Sequence, residues 1–137
     1  MATYVNDLRL KEIATGDESG TWGTTTNTNL ELIGESMGYG TEAVANASTD
    51  TITMADGTAD GFRCIFLRLT GGGQACTVTL APNTLSHTWI IRNTTSYALT
   101  FSQGSGANVI IAAGQAKILV TDGNAGSAIV YECLEDL

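Results

Sequence analysis

The sequence predicts a mainly β protein, an antiparallel β-sandwich or jelly-roll with one short N-terminal helix. Three observations support this fold class. Runs of β-branched and aromatic residues recur at a spacing of about ten residues in the second half of the chain. The segments between these runs are rich in Gly, Asn, Asp and Ser, which favour tight turns. One stretch near the N-terminus instead carries apolar residues at helical spacing.

A helix is predicted over about residues 24–37. Its apolar residues fall on one helical stripe: Trp22, Leu30, Ile33 and Met37. Glu31 and Glu35, four residues apart, are expected on the solvent side. Gly38 and Gly40 follow the stripe, as is typical of a helix end. Trp22 is then expected at the helix entrance, packed back on Leu30 or on a neighbouring surface.

Eight strands are predicted after the helix, and turn-forming segments separate them. They cover residues 51–54, 62–69, 75–81, 87–93, 97–103, 108–112, 116–122 and 128–134. In the third strand, Cys76, Val78 and Leu80 alternate with threonines, so one face is core and the other is wet. The second strand, FRCIFLRL, is apolar on both faces, with Phe62 and Phe66 on one of them. We therefore expect a second cover over it, from the helix or from another subunit.

The length fits one domain, and the charge divides the chain into two parts. Residues 1–60 contain ten acidic and two basic residues, whereas residues 61–137 contain four of each. We predict an N-terminal attachment segment over residues 1–40 and a β-sandwich module over residues 41–137. The net charge of −8 argues against a nucleic-acid partner, which would demand clustered basic residues. No stretch is apolar enough for a membrane span or a signal peptide, so neither is expected.

Three cysteines do not follow a metal-binding or redox spacing: Cys64, Cys76 and Cys133. Each lies in an apolar, strand-like run. We expect buried free thiols made in a reducing cytosol, and a disulfide between two of them stays an alternative.

No catalytic residue, cofactor or metal is predicted. His87, the sole histidine, alternates with apolar residues including Trp89, which indicates a strand histidine rather than a general base. The acidic groups that could act in pairs lie in a turn or at the chain end, where carboxylates are normally solvated. These are Asp56 with Asp60, and Glu132, Glu135 and Asp136. The turn at residues 56–61 could ligate calcium but lacks the EF-hand ladder, so a structural turn is preferred and a metal at Asp56 and Asp60 is left open.

Two stretches resemble a known class of proteins. VNDLRLKEIATGDESGTWGTTTNTNLELIGE (5–35) resembles the N-terminal segment of many virion proteins of tailed bacteriophages, with a GTWG turn before an asparagine-bearing helix. Residues 77–126, from TVTLAPNT through WIIRNTTS to ANVIIAAGQAKILVTDGNAG, are similar to β-sandwich modules of phage tail fibres and head decorations. The resemblance implies homo-oligomers, commonly trimers, and no catalytic residues. Because fibre chains of this kind usually continue into longer regions, a single module favours a head decoration, cement or short spike protein.

We therefore expect a non-enzymatic virion structural protein, made in the bacterial host cytoplasm, that attaches through its N-terminal segment. The expected attachment and interface residues are Trp22, Leu30, Ile33, Met37, Phe62 and Phe66. The expected partners are sister chains and other virion proteins, such as the major capsid or a tail protein. The alternatives are a tail-fibre or tail adaptor protein, or a carbohydrate-binding module in which Trp89, Tyr97 or Tyr131 stacks on a host surface glycan.

Overall fold

A computed structural model of the chain describes residues 3–134. It is mainly β, with several sheets and, within those residues, one α-helix, so the predicted fold class is confirmed at that level. No helix in this range is both long and apolar enough to cross a membrane. The elements are β1 Thr3–Val5, β2 Leu10–Glu12, α1 Trp22–Glu35, β3 Tyr39–Val44, β4 Thr49–Thr53, β5 Phe66–Gly71, β6 Cys76–Ala81, β7 Ser86–Asn93, β8 Leu99–Ser102, β9 Val109–Ile111, β10 Ala116–Asp122 and β11 Val130–Cys133.

The strands form a hairpin and two larger sheets. β1 and β2 make the antiparallel hairpin, and the larger sheets have the orders β11-β10-β7-β5-β3 and β4-β6-β8-β9. From β3 to β8 the chain alternates between the two larger sheets. Each strand is therefore laid parallel to the one before it in the same sheet. The last three strands, β9 to β11, pair antiparallel with their neighbours.

The prediction of antiparallel pairing is therefore wrong for four pairings. Antiparallel neighbours are joined by hairpins, whereas a parallel pair needs a crossover between its strands. Here the crossover is a strand of the other sheet together with two turns. Turn-forming residues occur in both cases, and for this reason turn chemistry did not distinguish a hairpin from a step to the facing sheet.

The two larger sheets bury their inner faces in one hydrophobic cluster. Alternate residues of each strand point into it, as in β6, where Cys76, Val78 and Leu80 are buried between exposed or half-buried neighbours. Trp89 lies at its centre, fully buried, and donates a 2.9 Å hydrogen bond from its indole N–H to the Phe62 carbonyl. The Phe62 ring stacks on it with centroids 4.8 Å apart.

The predicted second strand differs most from the structure. β5 begins at Phe66, and residues 62–65 precede it as an irregular segment. Within β5, Leu67 and Leu69 point inward and Arg68 is exposed, so the strand has one buried face rather than two. The expectation of a strand buried on both sides is wrong, because the apolar residues of FRCIFLRL belong to two different elements. β1, β2 and β3 were not predicted, since β1 and β2 have only three residues each and β3, YGTEAV, is interrupted by Gly and Glu.

Candidate functional site

The helix α1 faces the rest of the chain with a largely polar side. Its two buried residues are Thr25 and Leu32. Asn29 joins the helix to the hairpin: its side-chain N–H donates to the Lys11 carbonyl at 2.9 Å, and its side-chain oxygen accepts from the Lys11 N–H at 3.1 Å. An amide placed in this way occupies the free edge of β2 as a neighbouring strand would. The inner side of the helix therefore combines one buried apolar side chain, Leu32, with hydrogen bonds to the hairpin.

The apolar stripe of the helix points away from the body. Trp22 is 64% exposed, Leu30 60%, Ile33 39% and Met37 78%. The helix covers residues 22–35, so it begins and ends two residues earlier than predicted, and Trp22 is its first residue. Its own chain therefore leaves most of the indole in solvent. Four large apolar side chains on one helical face are exposed together, whereas exposed apolar residues on monomeric proteins are usually scattered.

Two more partly exposed aromatic residues lie close to the end of the helix. Tyr39, 61% exposed at the start of β3, stacks on the half-buried Phe66 with ring centroids 5.8 Å apart. The Gly38 carbonyl accepts backbone hydrogen bonds from Ile65 and Phe66, so the end of the helix lies next to the start of β5. We call the combined surface of Trp22, Leu30, Ile33, Met37, Tyr39 and Phe66 the apolar face.

Phe62 does not belong to the apolar face. Its side chain is fully buried against Trp89 and offers no surface to a partner. The expectation that it is an interface residue is corrected here. Phe62 and Phe66 do not share a strand face, because the strand begins only at Phe66.

A buried arginine fastens the N-terminal segment to the body. Arg63 is fully buried, and its guanidinium donates to the carbonyls of Leu8 at 2.8 Å, Thr58 at 2.9 Å and Ala55. It also donates to the Glu35 carboxylate at 3.2 Å. One side chain therefore ties together the hairpin, the end of the helix and the segment before β5.

Glu35 is part of this anchor and does not lie on the solvent side as predicted. Its carboxylate accepts from Arg63 and, at 3.2 Å, from the Asp60 backbone N–H. Asp60 accepts backbone hydrogen bonds from Ala55, Phe62 and Arg63 between 2.7 and 2.9 Å. The sequence carried one signal of the anchor that was missed: an arginine inside an apolar run, directly after an Asp-Gly turn.

Most charges near the helix have partners away from the apolar face. Arg9 pairs with Asp56 at 2.7 Å, and Lys11 pairs with Glu18. The hydrogen bond to Lys11 lowers the pKa of Glu18, and the same bond raises the pKa of Lys11. Asp56 and Asp60 thus have protein partners in a structured turn. Within the described residues, no group of three or more His, Cys, Asp or Glu side chains is placed to hold a metal ion.

The other residues considered for chemistry or binding are dispersed. His87 is half-buried, its ring lies 4.4 Å from that of Trp89, and its Nε2 is 3.1 Å from the Cys64 carbonyl. Burial lowers the pKa of His87. Glu132 pairs with Lys117 at 3.2 Å, whereas Glu135 and Asp136 lie outside the described residues.

The aromatic residues considered for sugar stacking belong to different elements and differ in exposure. Trp89 is fully buried, Tyr97 lies before β8 and Tyr131 lies on β11.

A polar pocket of about 220 Å³ lies between the hairpin and the helix. Its lining includes Tyr4, Lys11, Thr24 and Thr28, and no pattern in the sequence indicated it.

The three cysteines are free thiols, and the prediction that they are buried holds for two of them but not for Cys133. Cys64 and Cys76 are buried and Cys133 is half-buried. Burial raises the pKa of the Cys64 thiol to about 11 and also raises that of Cys76. Neither buried group is a thiolate near neutral pH, and reactivity follows the thiolate.

Comparison of the chain with protein-family models, with curated proteins and with solved structures finds no match.

Proposed function

We propose that this chain is a non-enzymatic structural protein of a tailed-bacteriophage virion, a capsid decoration, cement or short spike protein. Its N-terminal segment attaches it to the particle or to sister chains, and it functions as a homo-oligomer, such as a trimer. The two-sheet body is the sandwich-like module that faces solvent. The chain is made in the host cytoplasm and is assembled into the virion, where its partners include the major capsid protein or a tail protein.

The observation that carries this proposal is the direction in which α1 points its apolar stripe. A helix that stabilised only its own chain would bury its apolar side and expose its polar side. Here the polar side is bound to the hairpin through Asn29, and the apolar side is exposed. Burying apolar surface yields about 25 cal/mol per Å². A partner that covers this face gains that free energy, which the isolated chain leaves unused.

Two features favour attachment over catalysis. Nucleophilic catalysis by a hydrolase needs a nucleophile, a base and an orienting group within hydrogen-bond reach of one another. The ring of His87 lies beside a backbone carbonyl and the Trp89 ring, and the pKa of the Cys64 thiol is raised to about 11. A sugar-binding role for the body is also less favoured, because Trp89, its largest aromatic residue, is fully buried.

The test is attachment to particles that lack the chain. Trp22→Ala removes an aromatic anchor, which costs about 3 kcal/mol if the partner buries it fully, so occupancy should require about a hundredfold more protein. Tyr131→Ala is the matched control, since Tyr131 is 50% exposed but lies on β11, outside the apolar face. Co-sedimentation with particles measures both variants. Equal binding by wild type and Trp22→Ala would remove the proposed role of the apolar face.

The position on the particle is tested separately. Density for the two-sheet body in a particle reconstruction should lie on the head surface if the chain is a decoration protein. Density at the tail would favour the tail adaptor or tail-fibre alternative. Tryptophan fluorescence on addition of host polysaccharide tests the carbohydrate-binding alternative, because a stacked sugar shifts the emission of a nearby indole.

A further inference from the structure

Two arginines lie side by side on the outer face of the five-stranded sheet. Arg68 of β5 and Arg92 of β7 are register partners in the parallel pair, and both side chains are exposed. The residues before and after each arginine in its strand are buried, so both side chains point away from the core. Like charges at neighbouring positions of a sheet repel each other. The two arginines therefore do not stabilise the isolated chain through one another.

The same two arginines differ from the other four basic residues of the chain. Neither guanidinium forms an ion pair with an acid within residues 3–134, although the chain contains 14 acidic residues. A guanidinium binds a carboxylate through two parallel hydrogen bonds, so this capacity stays unused on the sheet. The other four basic residues each have an acidic partner in their own chain: Arg9 with Asp56, Lys11 with Glu18, Arg63 with Glu35, and Lys117 with Glu132.

The surface next to the two arginines is apolar. Phe66, Ile90 and Ile118 stand in register on three neighbouring strands, in the row beside the arginines, and each is half-buried. Arginine and aromatic residues are enriched in protein interfaces, whereas lysine and acidic residues are depleted. We call Arg68, Arg92, Phe66, Ile90 and Ile118 the arginine face; Phe66 also belongs to the apolar face. Its composition is typical of a surface that binds another protein.

Acids without a partner lie in the other part of the chain. Glu12, Asp17 and Glu31 are exposed, and none of them forms an ion pair within the part of the chain that the structure describes. All three belong to the N-terminal segment, residues 1–40, which contains six acidic and two basic residues. One chain therefore carries both an unpaired cationic surface and unpaired carboxylates, and its own fold does not bring them together.

We propose that Arg68 and Arg92 of one copy bind carboxylates of the N-terminal segment of a second copy, from among Glu12, Asp17 and Glu31. This inference rests on the proposed function, in which that segment attaches the chain to sister chains. It goes further by naming the surface of the sister chain that receives the segment. Charge complementarity selects the occupant, because the chain itself supplies the opposite charge that the arginine face lacks.

The charges also determine the kind of contact. A twofold contact between two arginine faces would bring four guanidinium groups together, which is unfavourable. The arginine face of one copy and the acidic segment of the next are different surfaces, so the contact is head-to-tail. Head-to-tail contacts continue from copy to copy until a ring closes. A closed ring, such as a trimer, is therefore the expected assembly.

Neutral substitutions on the arginine face test the contact. Arg68→Gln and Arg92→Gln should each weaken self-association about tenfold, because charge pairs across an interface contribute on that scale. Each should leave the melting temperature of the dilute chain within about 2 °C of wild type, since neither arginine has an acidic partner within residues 3–134. Lys117→Gln is the matched control, because Lys117 lies in the same sheet but pairs with Glu132 of its own chain. It should leave association unchanged.

A mixing experiment tests the head-to-tail arrangement. The triple variant Glu12→Gln, Asp17→Asn and Glu31→Gln should not associate by itself, and neither should the double variant Arg68→Gln and Arg92→Gln. An equal mixture of the two should form a 1:1 dimer and nothing larger, because it retains one intact acidic segment and one intact arginine face. Sedimentation equilibrium of the full chain over a concentration series measures these species. Thermal unfolding at the lowest concentration shows whether each variant is folded.

The outcomes separate this inference from the proposed function. A wild-type chain that remains monomeric at about 100 μM overturns the inference, since interfaces of standard size bind at micromolar concentrations or below. A double variant that associates as wild type does, or that unfolds much earlier, also overturns it, because the arginines then act elsewhere or within their own chain. If such chains still bind particles and Trp22→Ala does not, the proposed function survives. If wild type assembles through the arginines but never binds particles, the virion role fails and the inference stands.

Discussion

Replacing Arg63 by methionine tests how the N-terminal segment is held. Methionine keeps much of the length and apolar character of the side chain but has no hydrogen-bond donor. The substitution removes the bonds to the carbonyls of Leu8, Ala55 and Thr58 and to the Glu35 carboxylate. Because Arg63 is fully buried, water does not simply replace the guanidinium at these acceptors.

The expected loss of stability is large. Breaking a buried ion pair by removing one partner costs about 3–5 kcal/mol, and each buried carbonyl left without a donor adds the cost of an unsatisfied acceptor. Hydration of the Glu35 carboxylate, which is partly exposed, offsets part of this loss of stability. We expect a net decrease of about 4 kcal/mol in the free energy of unfolding, or roughly 12–16 °C in melting temperature for a chain of this size.

Urea unfolding and thermal unfolding measure the change, with Arg92→Met as the matched control. Arg92 is exposed on β7 and faces Arg68 across the parallel pair, so its loss should change stability by less than about 0.5 kcal/mol. Hydrogen exchange should report faster exchange in residues 3–12 of Arg63→Met than in the two large sheets. An Arg63→Met protein with the stability of the control would refute the assignment of Arg63 as the anchor.

Three further predictions concern single side chains. Burial lowers the pKa of His87 below that of the unfolded chain, so its contribution to stability should be complete above about pH 6.5 and should decrease as the pH falls below that value. Unfolding of wild type and of His87→Gln between pH 5 and 8 measures this, and the difference in stability between them should narrow toward acid pH. In the native protein, Cys133 should react readily with a disulfide reagent at pH 8, whereas Cys64 and Cys76 should react only on unfolding. Rapid modification of all three thiols would contradict the burial of Cys64 and Cys76. Asn93→Ala should lower the free energy of unfolding in urea by about 3 kcal/mol. The fully buried Asn93 amide donates to the carbonyls of Tyr97 and Ile111 and accepts from Thr95. A decrease below about 1 kcal/mol would mean that these hydrogen bonds contribute little to stability.

The sequence located most strands but not their partners. Seven of the eight predicted runs coincide to within a few residues with β4 and with β6 to β11, and the eighth begins four residues before β5. Alternation of apolar and polar side chains is a local property, so it can be read from the sequence. Pairing depends on where the chain goes after each turn. The segments after β3 and β5 lead to the other sheet, whereas the one after β10 returns to the same sheet, and all three contain ordinary turn residues. Topology was therefore the part that local chemistry could not determine.

The sequence also identified the residues of the apolar stripe but not the side of the helix that faces the body, since Glu35, expected in solvent, binds Arg63. Periodicity groups Trp22, Leu30, Ile33 and Met37 together whether a partner or the chain itself covers them. The deciding contacts are polar and distant in sequence, from Asn29 to Lys11 and from Glu35 to Arg63. A single sequence offers no signal for such pairs, since each residue by itself is compatible with solvent.

The polar inner side and the apolar outer side of α1 depend on one another. Hydrogen bonds fix direction more strictly than apolar contacts do, so an anchor made of Asn29, Glu35 and Arg63 holds the helix in one orientation and leaves its apolar stripe exposed. A preorganised surface loses less conformational entropy on binding. Arg63→Met should therefore weaken both self-association and particle binding, although Arg63 is fully buried and touches neither partner. In the same titrations, unchanged association by a folded Arg63→Met chain would mean that the apolar face acts independently of its support.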